Sequence, residues 1–217
     1  MNPTLGRLGF VLAMPILLGG MSPLALAGVP NAGTSILPRC FVPCPFGDIG
    51  FPMIIKDAAG NPIPNSVVVL NFANCPELTV CAEQEPGTSF NPFAHTFARA
   101  TDFSGAVDFH LRLGGSCSAA TPLTVTADGV PMHRPDSASQ NWPIQALDQD
   151  GDLLVTANDH TLMEARIAAN DATADLNCDQ LLDANDLAVL DAHMNHVCPA
   201  TTPTLPKSWG SVKVIYR

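Results

Sequence analysis

Two short stretches of the chain gather oxygen side chains at a spacing that can wrap a metal ion. Asp148-Gln-Asp150-Gly-Asp152-Leu-Leu154-Val-Thr156-Ala-Asn-Asp159 places them at positions 1, 3, 5, 9 and 12 of twelve residues. The pattern returns 27 residues on, from Asp148 to Asp175, as Asp175-Leu-Asn177-Cys-Asp179-Gln-Leu181-Leu-Asp183-Ala-Asn-Asp186, and both copies close on Ala-Asn-Asp. Calcium is a hard cation that takes about six to eight oxygens, most of which one loop of this length can supply. In the first loop Asp148, Asp150 and Asp152 would ligate through side chains, Leu154 through its backbone carbonyl, Thr156 directly or through water, and Asp159 from a helix start. The second would use Asp175, Asn177, Asp179, the carbonyl of Leu181, Asp183 directly or through water, and Asp186. Two Ca²⁺ ions are therefore expected. The plainer reading, a pair of solvated acidic turns, has to explain why the whole ligand pattern is duplicated. Calcium could also serve folding alone, because clustered carboxylates repel one another until a cation lies between them.

The elements needed to position these oxygens are short helices, expected over residues 159–169 and 186–197. In the second, Leu187, Leu190, Met194 and Val197 recur at helical spacing on one face. The same offset aligns His160, Met163 and Ile167 with Leu187, Leu190 and Met194, so the repeat includes the helix. Position 8 is Val155 in one loop and Leu182 in the other, and these are expected to pair across the loops.

Residues 1–27 have the pattern of an export signal: Arg7, an apolar run from Leu8 to Leu18, and Ala25-Leu-Ala27 as a cleavage site. The run is broken by Pro15 and Gly19-Gly20, too short for a span of about 20 residues. A secreted, periplasmic or cell-surface protein that does not span the membrane is expected. The formal charge is −10, and losing Arg7 with the leader makes it −11. That excess is unfavourable for nucleic acid, whose binding rests on Lys and Arg. Seven cysteines in an exported chain imply disulfides with one thiol left over. Their connectivity stays open. A Cys178–Cys198 bridge is attractive in sequence, yet a helix of about 12 residues between them spans about 18 Å, against about 7 Å for bridged Cα atoms. Zinc is disfavoured as an account of the cysteines, since no close C-x-x-C pair is present. His193-x-x-His196 could offer two imidazoles to a metal, but no third ligand is indicated. No nucleophile, base and orienting acid stand out, so a non-catalytic protein is expected.

Upstream, residues 28–46 form a Pro- and Gly-rich lead-in. Gly50 to Lys56, Ser66 to Phe72, Ala106 to Leu113 and Leu123 to Ala127 have strand patterns separated by turn-rich clusters. Lys56-Asp-Ala-Ala-Gly-Asn-Pro-Ile-Pro-Asn65, followed by Thr101-Asp-Phe-Ser-Gly-Ala-Val-Asp-Phe109 and Leu123-Thr-Val-Thr-Ala127, resembles the bacterial immunoglobulin-like repeats of invasin-type surface proteins. That resemblance implies a β-sandwich over 47–130. The paired loops, with Asp rather than Glu at position 12 and no long helix before the first, resemble a dockerin domain over 146–198 more than an ordinary EF-hand. Leu153 and Gln180 stand where that family has Gly, Cys178 replaces another Gly, and Ala-Asn occupies the usual partner-recognition pair. The expected fold class is mixed, in two domains. One is an all-β immunoglobulin-like sandwich. After a linker over 131–143 comes a small α-helical dockerin-like module with paired EF-hand-like loops over 144–198, then a tail over 199–217. The resemblance implies attachment to a cohesin-type partner, and with it an association with polysaccharide degradation. The alternative is an adhesion or carbohydrate-binding module whose calcium is purely structural.

Overall fold

The computed structural model describes residues 28–117, 122–135 and 141–199. The leader and its cleavage site, and all of the tail except Pro199, lie outside these residues. Ten strands come first: β1 (Phe51–Ile54), β2 (Val67–Asn71), β3 (Thr79–Val80), β4 (Ser89–Asn91), β5 (Thr96–Ala100), β6 (Ala106–Phe109), β7 (Leu113–Gly114), β8 (Leu123–Ala127), β9 (Val130–Pro131) and β10 (Asn141–Trp142). Two helices follow, α1 (Ala157–Ala168) and α2 (Ala184–Ala192), with a 3-10 turn at Ala172–Ala174 between them.

The main sheet runs β10-β8-β2-β5-β4, with β9 also on β8; β1 pairs with β6, and β3 with β7. All of these pairings are antiparallel. Although β1 and β2 are consecutive, they belong to different sheets, because the Asp57 to Ser66 segment carries the chain across. Strand alternation then turns Phe51 and Met53 of β1, Val107 and Phe109 of β6, Val68 and Leu70 of β2, Phe97 of β5 and Leu123 and Val125 of β8 into one shared core. Edge-on ring contacts join Phe51 to Phe41 and to Trp142. Trp142 also donates its indole N–H to the Pro38 carbonyl at 2.9 Å, which satisfies a polar atom inside an apolar core. The stretch 131–143 thus contributes Met132 and Trp142 to the core.

The expectation of a mixed, two-domain fold with a separate helical dockerin-like module is overturned. The described residues are β-rich, and the two α-helices among them have only 12 and 9 residues. Each buries one apolar side chain, Met163 or Leu190, beside its aspartate, too little apolar surface to stabilise a domain alone. Met163, Leu190, Leu147, Val155, Ala174 and Leu176 instead share a cluster with Cys44, flanked by Val42 and Ile49. The lead-in therefore contributes Cys44 and Val42 to the second core. Phe41 forms a parallel bridge with Ile144, and the amides of Gln145 and Leu147 donate to the carbonyls of Phe41 and Pro43.

Three disulfides fasten this arrangement: Cys40–Cys178, Cys75–Cys117 and Cys81–Cys198. Cys178 and Cys198 are not bonded to each other; each reaches back into the N-terminal half. Disulfides of this number belong to an oxidising compartment. No helix among the described residues is long and apolar enough to cross a membrane.

Candidate metal centre

Local chemistry fixes the first loop. Asp148, at position 1, is fully buried, and its carboxylate accepts the amides of Gly151 and Leu153, both at 2.8 Å. Asp150 accepts the amide of Asp152 at 3.2 Å, and Asp152 accepts that of Leu154 at 2.9 Å. Each is a short aspartate turn closed on a residue two places on. Asp159, at position 12 and also fully buried, accepts the amide of Gln149 at 2.7 Å with one oxygen and the amide of Thr156 at 2.7 Å with the other. It therefore ties the start of the loop to its end. Carboxylate oxygens of Asp148, Asp150 and Asp152 lie within 4.8 Å of one another.

The second loop repeats the scheme. Asp175 accepts the amides of Asp179 and Gln180 at 3.1 and 2.9 Å, and Asn177 accepts that of Asp179 at 2.9 Å. Asp179 accepts that of Leu181 at 2.8 Å, while Asp186, fully buried, accepts those of Asn177 and Asp183 at 3.2 and 3.0 Å. The backbone is duplicated as well. Positions 4 and 6 are left-handed in both copies, with φ of 79° and 68° at Gly151 and Leu153, and 61° and 71° at Cys178 and Gln180. Only one of those four residues is the glycine that this region favours.

Position 9 has a role that the spacing did not reveal. Thr156 and Asp183 are the N-caps of α1 and α2, each accepting an amide from Asn158 or Asn185, and Asp159 and Asp186 complete reciprocal capping boxes. Their side chains serve the helices first. The expected pairing of Val155 with Leu182 is replaced: Val155 exchanges backbone hydrogen bonds with Asn195 and His196, and Leu154 bridges Val197. Both side chains still belong to the second core, Val155 as a buried member and Leu182 packed against the cluster.

The electrostatics favour a cation. Burial pushes the Asp148 carboxyl up to about 6; Asp159 and Asp152 add to the rise, while the Leu153 and Gly151 amides oppose it. Asp175 is raised for the same reasons, burial first, then Asp186 and Asp179. Oxygen donors without nitrogen or sulfur suit a hard divalent ion.

Sequence reasoning missed the floor of the first loop. Gly115 donates its amide to the Asp148 carbonyl at 2.8 Å, and a Cβ on Gly114 would collide with the Asp148 carboxylate. The run Leu113-Gly-Gly115 was a visible signal of close backbone approach. Compared with protein-family models, with curated proteins and with solved structures, the chain finds no match in any of the three.

Proposed function

We propose that the chain is an exported, non-catalytic protein in which the loops 148–159 and 175–186 each hold one Ca²⁺ ion, and that these ions complete the fold where the loops pack against the lead-in. The observation that carries this reading is the duplicated backbone: two loops of different sequence share left-handed positions 4 and 6 and buried carboxylates at positions 1 and 12. Strain in non-glycine residues, and like charges crowded around Asp148, are costs that a bound cation offsets. Calcium would be held by Asp148, Asp150 and Asp152 in one loop and Asp175, Asn177 and Asp179 in the other, with Asp159 and Asp186 closing them. When bound, the ion supplies positive charge and no reactive chemistry.

Calorimetric titration of the full chain tests the reading. Two equivalents of calcium are expected, falling to one in Asp148→Ala and in Asp175→Ala; no heat and no gain in stability would overturn it.

A second reading, attachment to a cohesin-type partner, is favoured by the twin exposed helix starts Ala157-Asn158 and Ala184-Asn185. Capture of the chain by a cohesin domain in calcium but not in chelator is the expected result, and no capture in either sinks it. Equal loss on Asn158→Asp and Asn185→Asp would mark these starts as the contact.

A further inference from the structure

One thiol is left over among the described residues, and it is fully buried: Cys44. It does not sit among apolar groups alone. The ring Nδ1 of His196 lies 3.6 Å from its sulfur, and the same nitrogen lies 3.2 Å from a carboxylate oxygen of Asp48. His193 presents its Nε2 to that same oxygen at 3.5 Å. Ligand atoms of Cys44, Asp48 and His196 all lie within 4.8 Å of one another. The chain brings these groups together from its two ends, 152 residues apart for Cys44 and His196.

One imidazole, His193, is oriented as a metal ligand is. His193 Nδ1 is 2.7 Å from the Val189 carbonyl, which can only accept, so this nitrogen carries the proton. Nε2 is left facing the Asp48 carboxylate oxygen at 3.5 Å. A carbonyl or carboxylate on the far ring nitrogen is the usual device for aiming a metal-binding histidine. The lead-in turns sharply at the cysteine: Gly47, at φ 78°, donates its amide to the Cys44 carbonyl at 2.9 Å.

A catalytic Cys-His-Asp arrangement is the competing use of these residues. It needs a histidine that gives one ring nitrogen to the thiol and the other to the carboxylate. Here Nδ1 of His196 faces both.

We propose that Cys44, Asp48, His193 and His196 form a binding site for one zinc-class divalent ion that joins the lead-in to the end of α2. One sulfur, two imidazole nitrogens and one carboxylate oxygen are the borderline-soft set that such an ion selects, and a hard ion such as calcium does not. Binding breaks the Cys44 S–H bond, forms a sulfur–metal bond and releases one proton to solvent. Cys44 closes the site from inside, while the histidine and aspartate side chains, 19 to 32% exposed, leave it open to solvent for entry. Its ligands are distinct from those of the calcium loops, although Val155 of the first loop holds the His196 backbone.

The test uses the full chain, disulfides intact and saturated with calcium, titrated with Zn²⁺ and with Co²⁺ as its coloured substitute. One equivalent of Zn²⁺ should bind. Cobalt should give a sulfur-to-metal charge-transfer band with the visible bands of four-coordinate geometry, and zinc should bleach both. Cys44→Ser should abolish the charge-transfer band, and His196→Ala or Asp48→Asn should weaken zinc binding by about tenfold or more. The two surface variants keep the test decisive if Cys44→Ser fails to fold. Absence of the sulfur band, or zinc binding indifferent to His196→Ala and Asp48→Asn, overturns the proposal.

Discussion

Gln180 shows how one backbone angle can be traced to energy. It occupies position 6 of the second loop with φ of 71° and an exposed side chain. A Cβ in that region costs about 1–2 kcal/mol, whereas glycine's greater freedom in the unfolded chain costs about 0.5–1 kcal/mol. Gln180→Gly should therefore stabilise the chain by about 0.5–1 kcal/mol, read from the midpoint of chemical unfolding in calcium. Gln180→Ala, which keeps the Cβ, should change little. If alanine stabilises as much as glycine, side-chain loss and not backbone strain is responsible. A second residue-scale prediction concerns Gly114. Gly114→Ala must push against the Asp148 carboxylate, so it should cost about 1–3 kcal/mol and remove one of the two calcium equivalents. In an Asp148→Ala background most of that cost should vanish. Additive costs in the double mutant would separate Gly114 from the loop.

At the scale of elements, the turn between β5 and β6 is held by a single carboxylate. Asp102 accepts the Ser104 hydroxyl at 2.7 Å and the amides of Ser104 and Ala106 at 2.8 and 3.0 Å. The Ser104 hydroxyl first, then those amides, hold its carboxyl below the usual value of 3.8. A lowered folded-state value means that Asp102 contributes stability above the unfolded value, and that this contribution is lost as pH falls through the folded one. The acid limb of stability below pH 3.8 should therefore be shallower in Asp102→Asn than in the parent, measured by melting temperature against pH. Superimposable acid limbs would remove Asp102 from that account. This turn was legible in sequence, because Thr101-Asp-Phe-Ser-Gly105 is turn chemistry before an alternating run; so was β8, expected over Leu123 to Ala127 and found there. The acidic loops were legible for the same reason: local spacing carries them. The lead-in was not. Its prolines hide a segment that pairs with residues 143–147 and supplies Cys44 to the second core. Partners of Cys40 and Cys81 lie 138 and 117 residues away, beyond any periodicity. His193 and His196 indicated no third ligand in sequence because the groups that the fold sets beside them, Asp48 and Cys44, come from far upstream, 152 residues in the case of Cys44 and His196.

The whole molecule behaves as one body if those distant ties matter, and calcium is the lever that shows it. Cys40–Cys178 fixes the second loop to the lead-in, and Cys81–Cys198 fixes the end of the α2 segment to β3's flank. The lead-in in turn packs Phe41 into the sandwich core and Cys44 into the second core. Filling a site at a thousandfold excess over Kd adds about 4 kcal/mol to folding, and for a chain of this size each kcal/mol moves Tm by about 2–4 °C. Two filled loops should raise Tm on the order of 20 °C over the chelated protein. The rise should appear in a single calorimetric transition whose van't Hoff and calorimetric enthalpies agree. A Cys40→Ser/Cys178→Ser double variant removes a cross-link worth about 5 kcal/mol by loop-closure entropy. It should split that transition, leaving an upper step indifferent to calcium and a lower step that still moves with it. Two transitions in the parent protein, only one of them shifted by calcium, would mean that the two cores unfold separately and that the lead-in does not couple them.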